Sequence, residues 1–284
     1  MQQAIYTWED YRTTVREYEA VLEHAKAVSS AVLAEPAAAK HARYGEQIFL
    51  KLLSHCMALH TLAADGNRRG GRALWDVPTM SAAARCVVET HDAFEYIAGH
   101  DVPAPEREFR IQLWELHDRA RQLKLTGDGS AAVSQQDALR ADLRKRQLAL
   151  EGHDFFAALP LELRAELRRR MVAGDPPAFH INQRQRCALS GVDADWHNAV
   201  SVELSQYVHT LPFAVERLFQ LPPASPEAVR LMAMPLQAAL PLLVRVTQAT
   251  VRLVPGSTPE PPSRTARTMA AWRALAEGAQ HSTP

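Results

Sequence analysis

Apolar residues recur at intervals of three and four along most of the chain, which is the spacing that places them on one face of an α-helix. Runs that alternate apolar and polar residues, as a half-buried strand does, are almost absent. The 12 glycines are also few for a sheet protein of 284 residues with many tight turns. The pattern therefore predicts an all-α fold.

Proline and glycine interrupt the helical spacing and divide the chain into separate helices. The predicted helices cover approximately residues 6–33, 48–63, 79–99, 105–125, 135–150, 161–174, 193–219 with a break at Pro212, 226–253 and 264–278. Two of them, 135–150 and 161–174, place acidic residues and Arg three and four positions apart, which indicates solvent-exposed faces.

No internal repeat and no sharp change of composition divides the chain. We therefore expect a single multi-helix bundle over residues 1–254. Residues 255–284 are predicted to form a Pro-rich linker and a short tail helix. The tail helix is amphipathic around Met269 and Trp272, so it is a candidate element for binding a protein partner.

The longest apolar run covers residues 231–244. It is shorter than the roughly 20 residues that a membrane-spanning helix needs, and it contains Gln237, Pro235 and Pro241. We predict a buried core helix that is kinked at the two prolines, and no membrane partner.

Composition narrows the classes of partner and the compartment. The 32 Lys and Arg residues equal the 32 Asp and Glu residues, so the whole chain has no net attraction for nucleic acid or an anionic membrane. Cys56, Cys86 and Cys187 are too few and too scattered for a disulfide framework or a zinc knuckle, and we expect them to be small core residues. The charged N-terminus has no apolar signal segment, so a cytoplasmic location is expected.

The predicted third helix carries a polar stripe. On a helix that turns about 100° per residue, Arg85, Glu89, Asp92 and Tyr96 share one side. Arg85 and Glu89 can form an ion pair across one turn. Small residues around Arg85 suggest that the helix is central, and a buried ion pair would need polar partners on neighbouring helices.

Two other predicted helices offer such partners. His117 and Arg121 lie four residues apart on the fourth helix, and Ser205 and His209 lie four apart on a later one. A polar cluster of these side chains with the Arg85 pair would be either a structural lock or a binding site for a small anionic ligand.

In the binding hypothesis, the residues have separate roles. Arg85 holds the anion, Glu89 orients Arg85, and His209 donates or accepts a proton. His117, Arg121 and Ser205 complete the predicted ligand-binding set.

The pattern Arg85-x-x-x-Glu89 and the late segment RQRCALSGVDADWHNAVSVELSQYVHTLP resemble a family of uncharacterised bacterial all-helical proteins, a domain of unknown function. That family has a Leu-Ser-x-x-Val-His signature, which stands here as residues 204–209, with Trp196 as the upstream aromatic. The resemblance covers roughly residues 45–215. It implies an all-α fold, and it transfers no settled reaction, metal site or cofactor.

A second resemblance is to the helical HEPN ribonucleases, which use an Arg and a His four to six residues apart. Arg85 and His91 have this spacing, but Cys86 and Val87 stand where the motif commonly has a polar residue. Six residues along a regular helix leave the two side chains about 120° apart, so they do not converge on one phosphate unless the helix is distorted. The catalytic residues of this alternative would be His91 and Arg85.

His-Asp dipeptides suggest a third, metal-dependent alternative, the all-helical HD phosphohydrolases. That group also needs an isolated upstream His and a later Asp that converge on a divalent metal. No dipeptide in this chain has that context, so the sequence predicts no metal site. The dipeptides are His91-Asp92, His100-Asp101, His117-Asp118 and His153-Asp154.

Gly-rich phosphate loops, G-x-S-x-G elbows, H-E-x-x-H and Cys-x-x-Cys are absent from the sequence, which disfavours classical nucleotide-cofactor enzymes, and no cofactor is predicted. Three functional classes stay open. The first is a cytosolic helical protein with the polar cluster described above. The second is a HEPN-like ribonuclease of a toxin or phage-defence system, which would act on RNA as a homodimer. The third is a protein-interaction module that uses the tail helix.

Overall fold

The structure is a computed structural model, and it describes Ile5 and residues 7–34, 39–69, 76–126, 130–222, 225–254, 256 and 258–277. All regular structure in these residues is helical, so the predicted all-α class is confirmed. The helices are α1 Trp8–Ala34, α2 Lys40–Arg69, α3 Val77–Phe94 followed by a π-helical turn Glu95–Gly99, α4 Ala104–Leu125, α5 Ser130–Glu151, α6 Asp154–Ala158, α7 Leu161–Val172, α8 Gln183–Ser190, α9 Ala194–Val208, α10 Pro212–Gln220, α11 Pro226–Leu253 and α12 Ser263–Glu277.

Local capping residues explain where several helices begin. Asp193 accepts a hydrogen bond from the backbone of Trp196 and starts α9, and Ser225 does the same for α11. Pro212 stands in the first turn of α10 and produces the predicted break from α9. The bounds of α11 match the predicted helix 226–253. Part of the segment between the predicted helices 48–63 and 79–99 is also helical, because α2 continues to Arg69. Residues 70–75 lie outside the described residues.

The helices form two compact units, whereas the sequence analysis expected one bundle over residues 1–254. Unit 1 comprises Met1–Gly99 and Arg186–Pro284, and unit 2 comprises His100–Gln185. Composition gave no sign of this division because both units consist of helices joined by similar short connections.

The core of unit 1 is built around α11, which packs against α1, α2, α3 and α12. Within the described residues, α11 is the one helix long and apolar enough to cross a membrane, and 83% of its apolar window is buried inside the protein. This burial is that of a core helix. Cys56 and Cys187 are buried as predicted, but Cys86 is exposed.

The C-terminal helix α12 belongs to unit 1, whereas the sequence analysis expected residues 255–284 to form a linker and tail helix outside the bundle. It packs against α1 and α11, and Trp272 and Met269 are each 3% exposed. Trp272 Nε1 donates a hydrogen bond to Glu17 Oε2 at 2.9 Å. The apolar side of α12 is therefore covered by the chain itself, so Met269 and Trp272 do not form a surface for a partner.

We expect Trp272→Ala to lower the free energy of unfolding of the full chain by about 3–5 kcal/mol, because it leaves a cavity under α12. The measurement is urea unfolding followed by circular dichroism. Arg267→Ala, at an exposed position of α12, is the matched control and should change stability by less than about 0.5 kcal/mol. Equal effects of the two substitutions would contradict the docking of α12.

Unit 2 has its own apolar core, and it encloses a charged residue. The core contains Phe109, Leu113, Leu116, Leu150, Phe156, Leu159, Leu167 and Met171. Arg110 is completely buried. Its Nε donates a hydrogen bond to Glu106 at 3.0 Å, and its Nη1 lies 2.8 Å from His100 Nδ1.

His180 packs edge-on against Phe109. Burial, and then the positive charge of Arg110, lower the pKa of His180 to about 4.

His180 makes the stability of the protein depend on pH. The unfolded chain binds this proton near pH 6.5, whereas the folded chain resists it until about pH 4. We therefore expect the His180 contribution to stability to be complete above pH 6.5 and to fall by about 3 kcal/mol towards pH 4. Replacement by Phe should keep the ring packing and flatten this part of the curve of unfolding free energy against pH, and an unchanged slope in His180→Phe would contradict this role of His180.

Candidate metal centre

The Arg85 pair lies at the surface of α3. Arg85 Nη2 is 2.9 Å from Glu89 Oε1, so the predicted pairing across one helical turn is present. The side chains are 28% and 67% exposed, however, and Glu89 is not part of a buried cluster as the sequence suggested. The difference arises because this side of α3 is not covered at Glu89.

The other predicted ligand-binding residues have separate surroundings. His209 is exposed and ends α9, and its backbone N–H donates to the carbonyl of Ser205, which is half-buried. His117 belongs to unit 2, where its Nδ1 lies 2.8 Å from the carbonyl oxygen of Pro176. Arg121 is exposed in the same unit. The exposure of His209 contradicts its predicted place in a buried cluster, and the ligand-binding roles stay predictions.

A different polar cluster is buried in unit 1, and Asp92 is its centre. Asp92 Oδ1 lies 2.8 Å from Nε2 of His197 on α9 and 3.3 Å from Nδ1 of His91. Asp92 Oδ2 lies 3.3 Å from Nη2 of Arg186 on α8. His91 and His197 are 2% and 3% exposed, and the side chains of Asp92 and Arg186 are each 15% exposed.

The end of α3 adds a second carboxylate to this cluster. After Phe94 the chain forms a π-helical turn, and Glu95 there is 6% exposed, with its Oε1 3.8 Å from His91 Nε2. Gly99 leaves the space that this carboxylate occupies, because a Cβ atom at Gly99 would overlap it. Sequence spacing alone assumes a regular helix and does not predict this local change.

The charges of the cluster keep Asp92 ionised. Burial on its own raises the pKa of the Asp92 carboxyl, but the hydrogen bonds and positive charge supplied by His197 and His91 outweigh it, so that its pKa lies well below the ordinary range. The described contacts contain two carboxylates, Asp92 and Glu95, and one guanidinium, Arg186. The second carboxylate is balanced either by a proton on one of the two histidines or by a bound cation.

Both histidines direct one ring nitrogen to Asp92 and the other to an oxygen atom. His197 Nδ1 is 3.5 Å from Ser201 Oγ. His91 Nε2 faces Glu95 but has no hydrogen-bond partner among the residues that the structure describes. This is the arrangement that metal-bound histidines adopt, with the outer nitrogen held by a carboxylate or hydroxyl. Two states would let Nε2 of His91 carry a proton directed at Glu95. In one state a metal ion binds Nδ1 on the Asp92 side, and in the other both ring nitrogens are protonated.

Three candidate ligand atoms of this cluster lie near one another. One ligand atom from each of His91, Asp92 and His197 lies within 4.8 Å of the other two. Ligands bound about 2.0–2.2 Å from a tetrahedral zinc ion lie roughly 3.4 Å apart. The 3.3 Å separation of His91 and Asp92 already matches this spacing, whereas the 2.8 Å separation of His197 and Asp92 would lengthen slightly on binding.

The sequence analysis identified two of the three candidate metal ligands. It singled out His91-Asp92 as one of four His-Asp dipeptides but predicted no metal, because it found no third ligand. The residues around His197 form no recognisable metal-binding motif. His197 lies 105 residues after Asp92 in the sequence, and only the packing of α9 on α3 brings the two side chains together.

The fold and the site define an all-α protein with a buried histidine–carboxylate cluster. Comparison with known proteins finds no matching family model, no matching curated protein and no matching solved structure. The predicted resemblances to a bacterial helical family and to HEPN domains therefore stay predictions.

Gly99→Ala tests whether the Glu95 carboxylate has the position described here. The added methyl group must displace Glu95 from His91, and we expect a loss of about 1–3 kcal/mol in urea unfolding. Gly152→Ala is the control, because its Cβ would make only ordinary contacts, and it should be close to neutral. An unchanged stability of Gly99→Ala would contradict this expectation and would show that the Glu95 carboxylate can leave this space at little cost.

Proposed function

We propose that this protein binds a divalent transition metal in unit 1, with His91, Asp92 and His197 as its protein ligands. One observation carries the proposal: His91 is buried between two carboxylates, and one of its ring nitrogens has no hydrogen-bond partner in the described part of the chain. A metal ion bound to Nδ1 of His91 would leave a proton on Nε2, which then donates towards Glu95. The same ion would balance the excess negative charge of Asp92 and Glu95.

The donor set supports a metal of the zinc, iron or cobalt class. Two imidazoles and one carboxylate are borderline ligands that these ions accept, whereas magnesium and calcium prefer all-oxygen sites. Glu95 and Ser201 would act as the outer partners that orient the two histidines.

Three protein ligands leave one position of a tetrahedral ion for water or an anion, as in catalytic zinc sites. Such an ion can lower the pKa of its water or polarise an oxygen of a bound group. Arg186 pairs with Oδ2 of Asp92, the oxygen that does not contact the histidines. Its positive charge would favour an anionic ligand beside the metal.

Two alternatives are weaker. A second proton on His91 would also balance the carboxylates and would make the cluster a structural lock between α3, α8 and α9. The ribonuclease hypothesis needs Arg85 and His91 at one accessible site, but His91 is 2% exposed and Arg85 pairs with the exposed Glu89. No contact of the described residues supports that hypothesis.

The test is titration of the metal-stripped full chain with Zn²⁺ by calorimetry, together with the visible absorption of the Co²⁺ form. We expect one equivalent to bind and a tetrahedral Co²⁺ spectrum to appear. His197→Gln should remove stoichiometric binding, and Glu95→Gln, which acts on the outer nitrogen of His91, should weaken it by about 10- to 100-fold.

His209→Gln is the matched control, since His209 is exposed at the end of the same helix, and it should bind as the wild type does. Absence of binding in the wild type, or binding that survives His197→Gln, would overturn the metal proposal. In the first case a stability loss on Asp92→Asn would favour the protonated lock.

A further inference from the structure

A cavity of about 280 Å³ lies in unit 2, at the edge of its apolar core. Its lining comes from α4, α5, the end of α7 and the turn that follows α7. Leu116 and Met171 belong both to this lining and to the core of unit 2, and Leu143 packs against that core. The apolar core therefore continues directly into the wall of the cavity.

Apolar side chains form the wall on three sides. Leu116, Ala120 and Leu123 supply the α4 side, because residues three and four apart share one face of a helix. Leu143 on α5 and Met171 on α7 supply the other two sides. The flexible thioether side chain of Met171 can adjust to the shape of a bound molecule.

The turn after α7 holds another part of the wall in place. Gly174 has a φ of 69°, in the left-handed region, and the backbone N–H of Asp175 donates to the carbonyl of Arg170 at 3.0 Å. This turn ends α7 and brings Pro176 to the cavity. The carbonyl oxygen of Pro176 accepts a hydrogen bond from Nδ1 of His117 on α4 at 2.8 Å. Contacts within the protein thus form the wall before any ligand binds, which lowers the cost of binding.

The polar side chains in the described lining, Lys124 and Gln147, already have partners. Lys124 Nζ lies 2.9 Å from Asp175 Oδ1, and these two side chains are 51% and 47% exposed. Gln147 Nε2 donates to Glu151 Oε1 at 2.9 Å. Since the one charge in this lining is both paired and solvated, the cavity recognises a ligand by apolar contact and not by charge.

The volume of the cavity indicates the size of the ligand. An apolar cavity of about 150 Å³ in another protein holds one benzene molecule. The cavity in unit 2, at about 280 Å³, has nearly twice that volume. It therefore has room for a molecule with about two fused aromatic rings.

We infer that this cavity is a binding site for a small uncharged apolar molecule of about the size of a two-ring aromatic hydrocarbon. Removal of the apolar surfaces of the ligand and of the wall from water drives binding. The inference is independent of the proposed metal, because the lining belongs to unit 2 and the proposed metal ligands belong to unit 1.

The test is titration of the full chain, with ¹³C-labelled methionine methyl groups, with naphthalene. The ring current of naphthalene should shift the Met171 methyl signal, which Met171→Leu identifies, and the shift should saturate as for a single site. The anion 2-naphthoate has the same two rings, and it should bind at least about tenfold more weakly because its carboxylate finds no partner in the cavity. A Met171 signal that does not move with naphthalene would overturn the inference, and equal or tighter binding of 2-naphthoate would overturn its uncharged part.

Two variants fill the cavity from the buried position Ala120. Ala120→Phe places a ring in the space and should weaken naphthalene at least about tenfold, and Ala120→Leu, which adds less volume, should weaken it in the same direction. Urea unfolding of each variant shows whether it is folded, and the wild-type titration decides the inference if neither variant folds.

Ala165→Phe is the matched control, because it makes the same substitution at an exposed position of α7 that does not line the cavity. It should bind naphthalene as the wild type does. Binding that survives Ala120→Phe in a folded chain, or that is lost in Ala165→Phe, would place naphthalene elsewhere and overturn the inference.

Discussion

The contact between Asp92 and His197 is the constraint on which the arrangement of α3, α8 and α9 depends. A carboxylate that is 15% exposed is costly unless its oxygens are paired, and here one oxygen lies 2.8 Å from His197 while the other pairs with Arg186. These two partners come from separate helices in the second segment of unit 1. The charge of one residue on α3 therefore determines where both helices can pack.

The faces of helix α9 have different neighbours. His197 and Ser201, one turn apart, face the carboxylate cluster at α3, whereas Trp196, Ala199 and Glu203 line a cavity beside α10 and α11. The Leu-Ser-x-x-Val-His signature that carried the family resemblance lies at the C-terminal end of this helix, where His209 is exposed. The side chains of α9 named here thus lie before this signature, between Trp196 and Glu203.

The polar stripe on α3 shows which side-chain positions can be predicted from helical periodicity and which cannot. Arg85, Glu89 and Asp92 were correctly assigned to one side of a helix, but three residues advance about 300°, so Asp92 is rotated roughly 60° from Glu89. That rotation is enough to place Asp92 against α9 while Glu89 remains in solvent. Glu95 departs further because the helix changes to a π-helical turn, a change that has no signature in apolar spacing.

By itself, the sequence determined the helical class, the core helix α11 with its bounds, and the pairing of Arg85 with Glu89, because each follows from interactions within one helix or from the total apolar content. The tertiary structure decided the division into two units, the docking of α12 through Trp272 and the meeting of His91, Asp92 and His197. Those features depend on which faces of distant helices pack together. Side-chain spacing along one helix identifies a face, but it does not identify the neighbour that covers it.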